Sequence, residues 1–535
     1  MGYLNKIFSV NFLEYASYVI KDRAIPDIED GMKPVQRRIL HTLHSMDDGK
    51  FHKVANIVGS TMKYHPHGDQ SINSALVNLA NKDLFIEKQG NFGNLLTGDS
   101  ASAPRYIECR LTELARETLF FPEITEYVPS YDGRNKEPVA FPSKLPVLLA
   151  MGTEGIAVGM ATKILPHNLI ELLKAEIAVL KDEPFEIYPD FHGGGDMDVS
   201  EYAQGNGKVL VRAKIDASDT KRIKISEIPF GQTTESLITS IENAARKNKI
   251  KIASINDYTT ENVEIEINLP RGIHSKEILD PLFAFTDCES SLSVNLLCIK
   301  DNRPVTMPIP DVVKFNTFRL KDILQAELEY EKDQLNQKLH IRTLEQFFIE
   351  KRIYKFIEEQ KSIRAVFDAV MEGFIPYLKL IKNEIVKEDI EHLLKIPIRR
   401  ISLYDINKAK KDIREIKARI KEIDHHLKFL IVFTIDYLEA LIEKYGDLYP
   451  RKTRITNFAQ VDVREAATRD LKLRYNSVEG YLGTGVKNGD PILEVSQYDR
   501  ILIIRKDGTY FVTDVPDVLF IEKGMSFCGF IDKDR

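Results

Sequence analysis

Apolar and polar positions follow four successive rhythms along this chain. Near the start, Val35, Ile39, Leu40 and Leu43 fall three and four apart, which predicts an amphipathic helix. A shorter helical stretch is predicted around Val54 to Val58. Asp69 stands where it can cap a third helix with an apolar face of Ile72, Ala75, Leu76 and Leu79. Three short helices with tight connections predict a helix-turn-helix unit. From 146 to 315 the period shifts to two. Segments 208–213, 222–225 and 263–268 alternate like half-buried strands, with a helix predicted over 234–247. From 316 to 455 the helical period returns in two long arms. The first carries Leu324, Leu328, Leu335 and Leu339. The second carries Ala409, Ile413, Ile416, Ile420, Ile423, Leu427 and Leu430, stepping alternately by four and three, which is a heptad seam. Such arms pair antiparallel within one chain and put the intervening insert, 353–400, at their far tip. Beyond 470 the apolar run 501–504, the turn Lys506-Asp507-Gly508 and the run 510–512 predict a β-hairpin.

This pattern predicts a multidomain α+β protein divided at 1–145, 146–315, 316–455 and 470–535. A chain of 535 residues is too long for one ordinary core. Hydrophobic residues make up 43% and charged residues 29%, the balance of a chain that buries a substantial core. No stretch approaches the roughly 20 apolar residues of a membrane span. The opening residues lack a basic flank, apolar core and cleavage site, and Lys6 stands where a myristoylation signal wants Ser or Thr. Cys109, Cys288, Cys298 and Cys528 are scattered without a CxxC pair, which predicts reduced thiols in a cytoplasm. The net charge of −6 excludes a globally basic polyanion binder, so any DNA contact must rest on a local basic surface.

The candidate chemistry is concentrated before residue 110. No GxxxxGK phosphate loop is present. Gly193-Gly194-Gly195 reads as a turn, and the spacing of Asp196 and Asp198 after it is a weak metal signal with no strand predicted before it. Five of the 12 histidines lie between His41 and His67, interleaved with Lys33, Arg37, Arg38, Lys53 and Lys63. Gly68 permits close backbone approach, and the helix after it turns its free amides outward, which favours a phosphate. On these residues alone, a capped helix with locally bonded histidines is nearly as good a reading. Tyr106 beside Arg105 is by itself ordinary. A tyrosine in water titrates near pH 10, so about 0.1% is phenolate at neutral pH. Attack on a phosphodiester needs an acceptor for its proton and cations for the phosphoryl oxygens, and Arg105 supplies one.

Several strings occur together and in order. They are 23–27 (RAIPD), 30–38 (DGMKPVQRR), 64–69 (YHPHGD), 89–93 (QGNFG), 103–106 (APRY), 155–162 (GIAVGMAT), 166–168 (PHN), 227–229 (EIP) and 445–451 (YGDLYPR). Over nearly its whole length the chain resembles the A subunits of bacterial type IIA DNA topoisomerases, DNA gyrase and topoisomerase IV. The resemblance implies a winged-helix breakage-reunion domain at 1–145 and a tower domain at 146–315. It implies a coiled coil with a C-gate at 316–455 and the start of a β-pinwheel, about one blade, at 470–535. It implies that Tyr106 attacks DNA to form a 5′-phosphotyrosyl bond, with Arg105 stabilising charge. Arg23, Lys33, Arg37, Arg38, His65 and His67 match positions that hold the cleaved strand, and Ile156 matches a wedge between base pairs. Mg²⁺ and ATP are expected mainly on a separate B subunit, none in this chain alone. The implied assembly is a homodimer within an A2B2 heterotetramer, cytoplasmic and nucleoid-associated, acting on double-stranded DNA in relaxation and decatenation.

Three departures refine this. Gln70 and Ser74 occupy the drug-contact positions where quinolone-binding relatives carry Ser or Thr and an acid, which predicts weak quinolone sensitivity. Gln36 stands where gyrases often carry histidine. The stretch 474–485 lacks the basic, glycine-rich box of gyrase A subunits, which favours topoisomerase IV over gyrase. The alternatives are a noncatalytic DNA-bending protein, a structural coiled-coil protein that merely binds DNA, and the DNA-cleaving component of a gyrase.

Overall fold

The computed structural model describes residues 11–381, 383–397, 403–458, 469 and 471–531. The chain's first ten residues, including Lys6, lie outside them. After a helical segment, Phe12–Val19 continued by Ile20–Ala24, the three expected helices form at Pro34–Ser45, Val54–Thr61 and Asp69–Ala80. Ile39, Leu40, Ile57, Ile72 and Leu76 are fully buried between them, because their spacing gives each helix one apolar face. Asp69 is not the cap. Gly68 is the N-cap residue, without a side-chain bond, and Asp69 begins the helix, where its negative charge suits the N-terminal dipole. An antiparallel sheet of His52–Lys53, Glu108–Leu111 and Ile86–Gln89 closes the unit.

The core beneath these helices continues without a break past residue 145. It takes in Leu148, Leu172, Val211, Leu296, Val312 and Leu320, and returns through Leu438, Leu441 and Tyr445. The boundary expected at 145 is therefore not a gap in packing. The expected strands appear as Lys208–Arg212, Arg222–Glu227 and Ile265–Asn268, and the helix as Thr234–Arg246. The sheet of Lys214–Asp216, Arg222–Glu227, Ile265–Asn268 and Ser254–Asp257 has its own core, centred on Ile223, Ile225, Ile241, Ile265 and Leu282. Asp196–Asp198 is itself a strand, paired with Lys208–Arg212 on one side and parallel to Arg454–Ile455 on the other. Its carboxylates are engaged: Arg454 Nε donates to Asp196 at 2.8 Å, and the amides of Ser200 and Phe458 donate to Asp198.

One helix of 42 residues, Ile309–Glu350, forms the first arm. Leu403–Lys428 runs antiparallel beside it. Lys332 pairs with Asp424 at 2.7 Å, Arg342 with Asp412 at 4.0 Å and Glu350 with Lys410 at 3.3 Å, so numbers rise on one helix as they fall on the other. Ile413, Ile416 and Ile423 of the seam are buried. The seam is shorter than expected, because the helix ends at Lys428 and Leu430 starts a new one, Leu430–Tyr445, after Phe429 leaves helical geometry. At the tip, Val370, Phe374, Ile390 and Leu393 pack with Leu344 and Phe348 of the arm into a separate small core.

Residues 471–531 form two antiparallel sheets, one of four strands and one of three. They share a core of Leu473, Leu482, Val495, Ile501, Ile503 and Ile521. The predicted hairpin is Arg500–Arg505 with Tyr510–Asp514, and Gly508 takes the positive φ of +83° that its turn needs. Among the described residues no helix is long and apolar enough to cross a membrane.

Candidate active site

Tyr106 ends a loop that leaves the sheet after Gln89 and re-enters it at Glu108. Gly93 has φ +83°, and a Cβ there would lie 2.6 Å from the Asp99 carbonyl, so only glycine closes this loop. The two ends of the Tyr106 turn are fixed to the start of the Val54–Thr61 helix. Val54 N–H donates to the Ile107 carbonyl at 3.0 Å, and Ala55 N–H donates to Pro104 at 3.1 Å. These amides are among the four that a helix leaves unpaired at its N-terminus. Ile107 and Cys109 are buried, while Tyr106 between them and the solvent is 64% exposed. The Arg105 guanidinium lies 4.5 Å from the Tyr106 ring centroid, a cation–π contact that keeps the charge beside the phenol.

A second group gathers around the other end of the same helix, where His65 N–H donates to the Thr61 carbonyl at 3.0 Å. The helix has eight residues, so the two groups stand roughly 12 Å apart along it. Glu137 grips Arg38 with both carboxylate oxygens, at 2.5 and 3.0 Å, and Arg38 Nη1 donates to His65 Nδ1 at 3.0 Å. The His65 and His67 rings meet edge-on at 4.9 Å, and the Tyr18 hydroxyl hydrogen-bonds His67 Nε2 at 2.7 Å. Burial, then the nearby charges of Arg38, His67 and Arg23, push the His65 pKa down to about 4. Arg23, Arg38, His65 and His67 are therefore brought together.

Lys33 and Ile156 adjoin this group through a β-hairpin, Thr153–Ile156 with Ala161–Ile164. Lys33 Nζ donates to the Glu154 carbonyl at 2.5 Å, and burial, then Lys82, lower its pKa. A Cβ at Gly155 would lie 2.1 Å from the Ala24 carbonyl, so glycine lets the hairpin seat against the segment that carries Arg23. Ala157, Val158 and Met160 of the hairpin tip pack on Val19, Ala24 and Ile25. Ile156 is left 87% exposed, held out by a tip that is itself anchored.

Arg37 does not join the group. Its guanidinium is buried against Asp30, at 2.6 and 2.9 Å, and is spent inside the fold. Gln36 accepts from Lys33 N–H at 2.9 Å and so closes the helix start. A Cβ at Gly68 would meet nothing within 4 Å, so the room there is open space in front of the helix rather than a tight protein contact. Gln70 and Ser74 lie exposed on one face of that helix, and the Ser74 hydroxyl donates to the Gln70 carbonyl at 3.0 Å. Glu137, Tyr18 and Lys82 were not anticipated from sequence. No local signal marks them, because each meets its partner across a long stretch of chain. Among the described residues no three His, Cys, Asp or Glu side chains converge as a metal site.

Comparison with known proteins gives the geometry its family. The model for the A subunits of DNA gyrase/topoisomerase IV matches residues 23–438. A model for a topoisomerase C-terminal domain of Bacteroidota matches residues 472–535. The chain is 52% identical over 520 residues to the DNA topoisomerase 4 A subunit of Borreliella burgdorferi, covering 97% of this chain and 83% of that protein. It is 29% identical to the DNA topoisomerase 4 A subunit of Bacillus subtilis, covering 99% of this chain and 72% of the relative. The DNA gyrase A subunit of Dehalogenimonas lykanthroporepellens is 32% identical, over 85% of this chain and 59% of its own length. The chain belongs to the family of DNA gyrase/topoisomerase IV A subunits, and its activity is that of the A subunit of a type IIA DNA topoisomerase.

Proposed function

We propose that Tyr106 is the nucleophile and that the chain serves a topoisomerase IV, relaxing and decatenating DNA during chromosome segregation. The Tyr106 oxygen attacks the scissile phosphorus. An O–P bond to tyrosine forms as the bond from phosphorus to the 3′ oxygen breaks. The phenol proton passes to solvent, and the 3′ oxygen leaves as a hydroxyl. The 5′ phosphate stays on Tyr106 until the 3′ hydroxyl attacks it in return. One phosphodiester replaces another, so resealing needs no outside energy. Arg105 steadies the phosphoryl charge. Arg23, Lys33, Arg38, His65 and His67 hold the strand, and Ile156 wedges into the duplex, trading a few kcal/mol of stacking for wrapped contact.

The observation that carries this reading is the Tyr106 turn: an exposed phenol on a backbone pinned at Pro104 and Ile107, with a guanidinium over its ring. Residues 1–145 then act as a winged-helix breakage-reunion domain, 146–315 as a tower and 316–455 as a coiled coil ending in a C-gate. Residues 470–535 act as part of a pinwheel. Two copies place two tyrosines on opposite strands. The partner is a B subunit, in an A2B2 assembly on the nucleoid. That partner binds Mg²⁺ and ATP and supplies charge neutralisation and gate closure. The topoisomerase IV subtype is supported by the 52% identity to a relative of that name and by the missing basic box in 474–485.

The test is reconstitution with a B subunit, Mg²⁺ and supercoiled, relaxed or catenated DNA, with and without ATP. Denaturant should trap a covalent adduct that Tyr106→Phe abolishes. Catenanes should resolve, and relaxed circles should gain no negative supercoils. An adduct that survives Tyr106→Phe would refute the assignment.

A further inference from the structure

We propose that Glu137 is a positioning residue for strand cleavage: it holds Arg38 so that His65 meets a DNA phosphate as a neutral Nε2–H donor. This rests on the cleavage reading above and deepens it. A guanidinium only donates, so the bond from Arg38 Nη1 makes His65 Nδ1 an acceptor. The one proton of the neutral ring must then sit on Nε2. That atom has no bonding partner among the described residues and is not one of the polar atoms sealed in the interior. Burial opposes a second proton, and the Arg38 charge beside Nδ1 opposes it further.

Glu137 is what keeps Arg38 in this orientation. Its two oxygens occupy Nε and Nη2, the two nitrogens along one side of the guanidinium. Only the remaining corner is directed at His65. Glu137 lies on the strand Lys136–Pro138, paired with Tyr127–Pro129, so the fork is presented by backbone rather than a free loop. It is mostly buried, as are His65 and Arg37 of the neighbouring pair. Without the fork, Arg38 can turn away from His65 and leave Nδ1 unclaimed. His65 is then free to switch tautomer or take up a second proton. The charged and titratable groups facing His65 are Arg38, His67 and Arg23, with Glu137 behind Arg38 and Tyr18 behind His67.

The experiment uses the full chain with its B subunit, Mg²⁺ and a duplex. The rate of covalent adduct formation in a single turnover is measured from pH 5 to 9, together with duplex affinity. Glu137→Gln should lower the rate about tenfold at pH 8, where the freed neutral ring can place its proton on Nδ1, and only about threefold at pH 6, where a second proton restores the Nε2–H donor, adding an inflection that the parent lacks. Duplex affinity should change less than about threefold. Glu137→Asp, which keeps the charge on a shorter stem, should show the same inflection more weakly. It carries the comparison where the glutamine variant does not yield a folded dimer. Variant profiles parallel to the parent at every pH, however much reduced, would make Glu137 a purely structural partner of Arg38 and overturn the proposal. A parent enzyme that forms no adduct would instead remove the cleavage reading itself.

Discussion

Arg37 Nε lies 2.6 Å from Asp30 Oδ2, with both side chains withdrawn from solvent. The same carboxylate accepts the amides of Met32 and Phe141, so it joins the start of the Pro34–Ser45 helix to a segment 111 residues away. Arg37→Ala leaves a buried anion with no counter-charge. It should cost about 3–5 kcal/mol of stability, read as a lower urea midpoint without DNA. A variant with parental stability and weakened duplex binding would return Arg37 to the DNA contacts.

The paired arms offer an internal contrast. Arg419 makes a two-point bond to Glu331, but both side chains are about two-fifths exposed, so solvent screens the pair. Arg419→Ala should cost less than about 1 kcal/mol. Ile423 is fully buried in the seam, and Ile423→Ala should cost about 2–5 kcal/mol through lost burial and the cavity left behind. Thermal melting followed by the helical signal orders the two. Equal losses would mean that ion pairs, not the seam, hold the arms.

That contrast also explains what was legible in the sequence. Ile39, Ile72, Ile416 and Ile423 announce helices because burial repeats at helical spacing within a few turns. The break at Phe429 was not legible, since Leu427 and Leu430 keep the heptad step across it while the backbone does not. In the four-stranded C-terminal sheet, the edge strand Leu519–Phe520 carries no readable pattern, because it is only two residues long and pairs with Tyr481–Gly483 across a long stretch of chain. At the site, the charges of Arg37 and Arg38 look alike in sequence. Only the fold turns one to Asp30 inside and the other to Glu137 and His65. The family strings mark the candidate positions, and the long-range partners that orient them carry no local pattern.

Asp27 provides a pH test. Burial, opposed by the Glu29 amide, raises its pKa from 3.8 to about 6. Between those values the folded chain binds more protons than the unfolded one, so stability falls as pH rises through that window. The shift corresponds to about 3 kcal/mol at most, and less for a side chain that water partly reaches. Asp27→Asn keeps an acceptor for Glu29 and removes the charge. It should be more stable than the parent by about 1–3 kcal/mol at pH 7.5 and by much less at pH 4.5. The comparison is made by urea unfolding at both pH values, and a gap independent of pH would rule out this ionisation as its source.

Gln70 and Ser74 sit one helical turn apart on the exposed face of Asp69–Ala80, close enough for one small ligand to touch both. Neither carries a charge, and the Ser74 hydroxyl is already donated to the Gln70 carbonyl. A quinolone whose bound cation seeks an acidic partner through water therefore finds none at these two positions. The native enzyme should need high drug concentrations to accumulate cleaved DNA. Gln70→Ser combined with Ser74→Glu restores a hydroxyl and an anion at the two positions. It should lower the half-maximal concentration about tenfold, equivalent to about 1.4 kcal/mol. Both side chains point to solvent, so the exchange should leave the melting temperature nearly unchanged and isolate the effect on drug. A drug titration of cleavage decides it: high potency in the parent, or no gain in the double variant, would mean that this helix face does not set sensitivity.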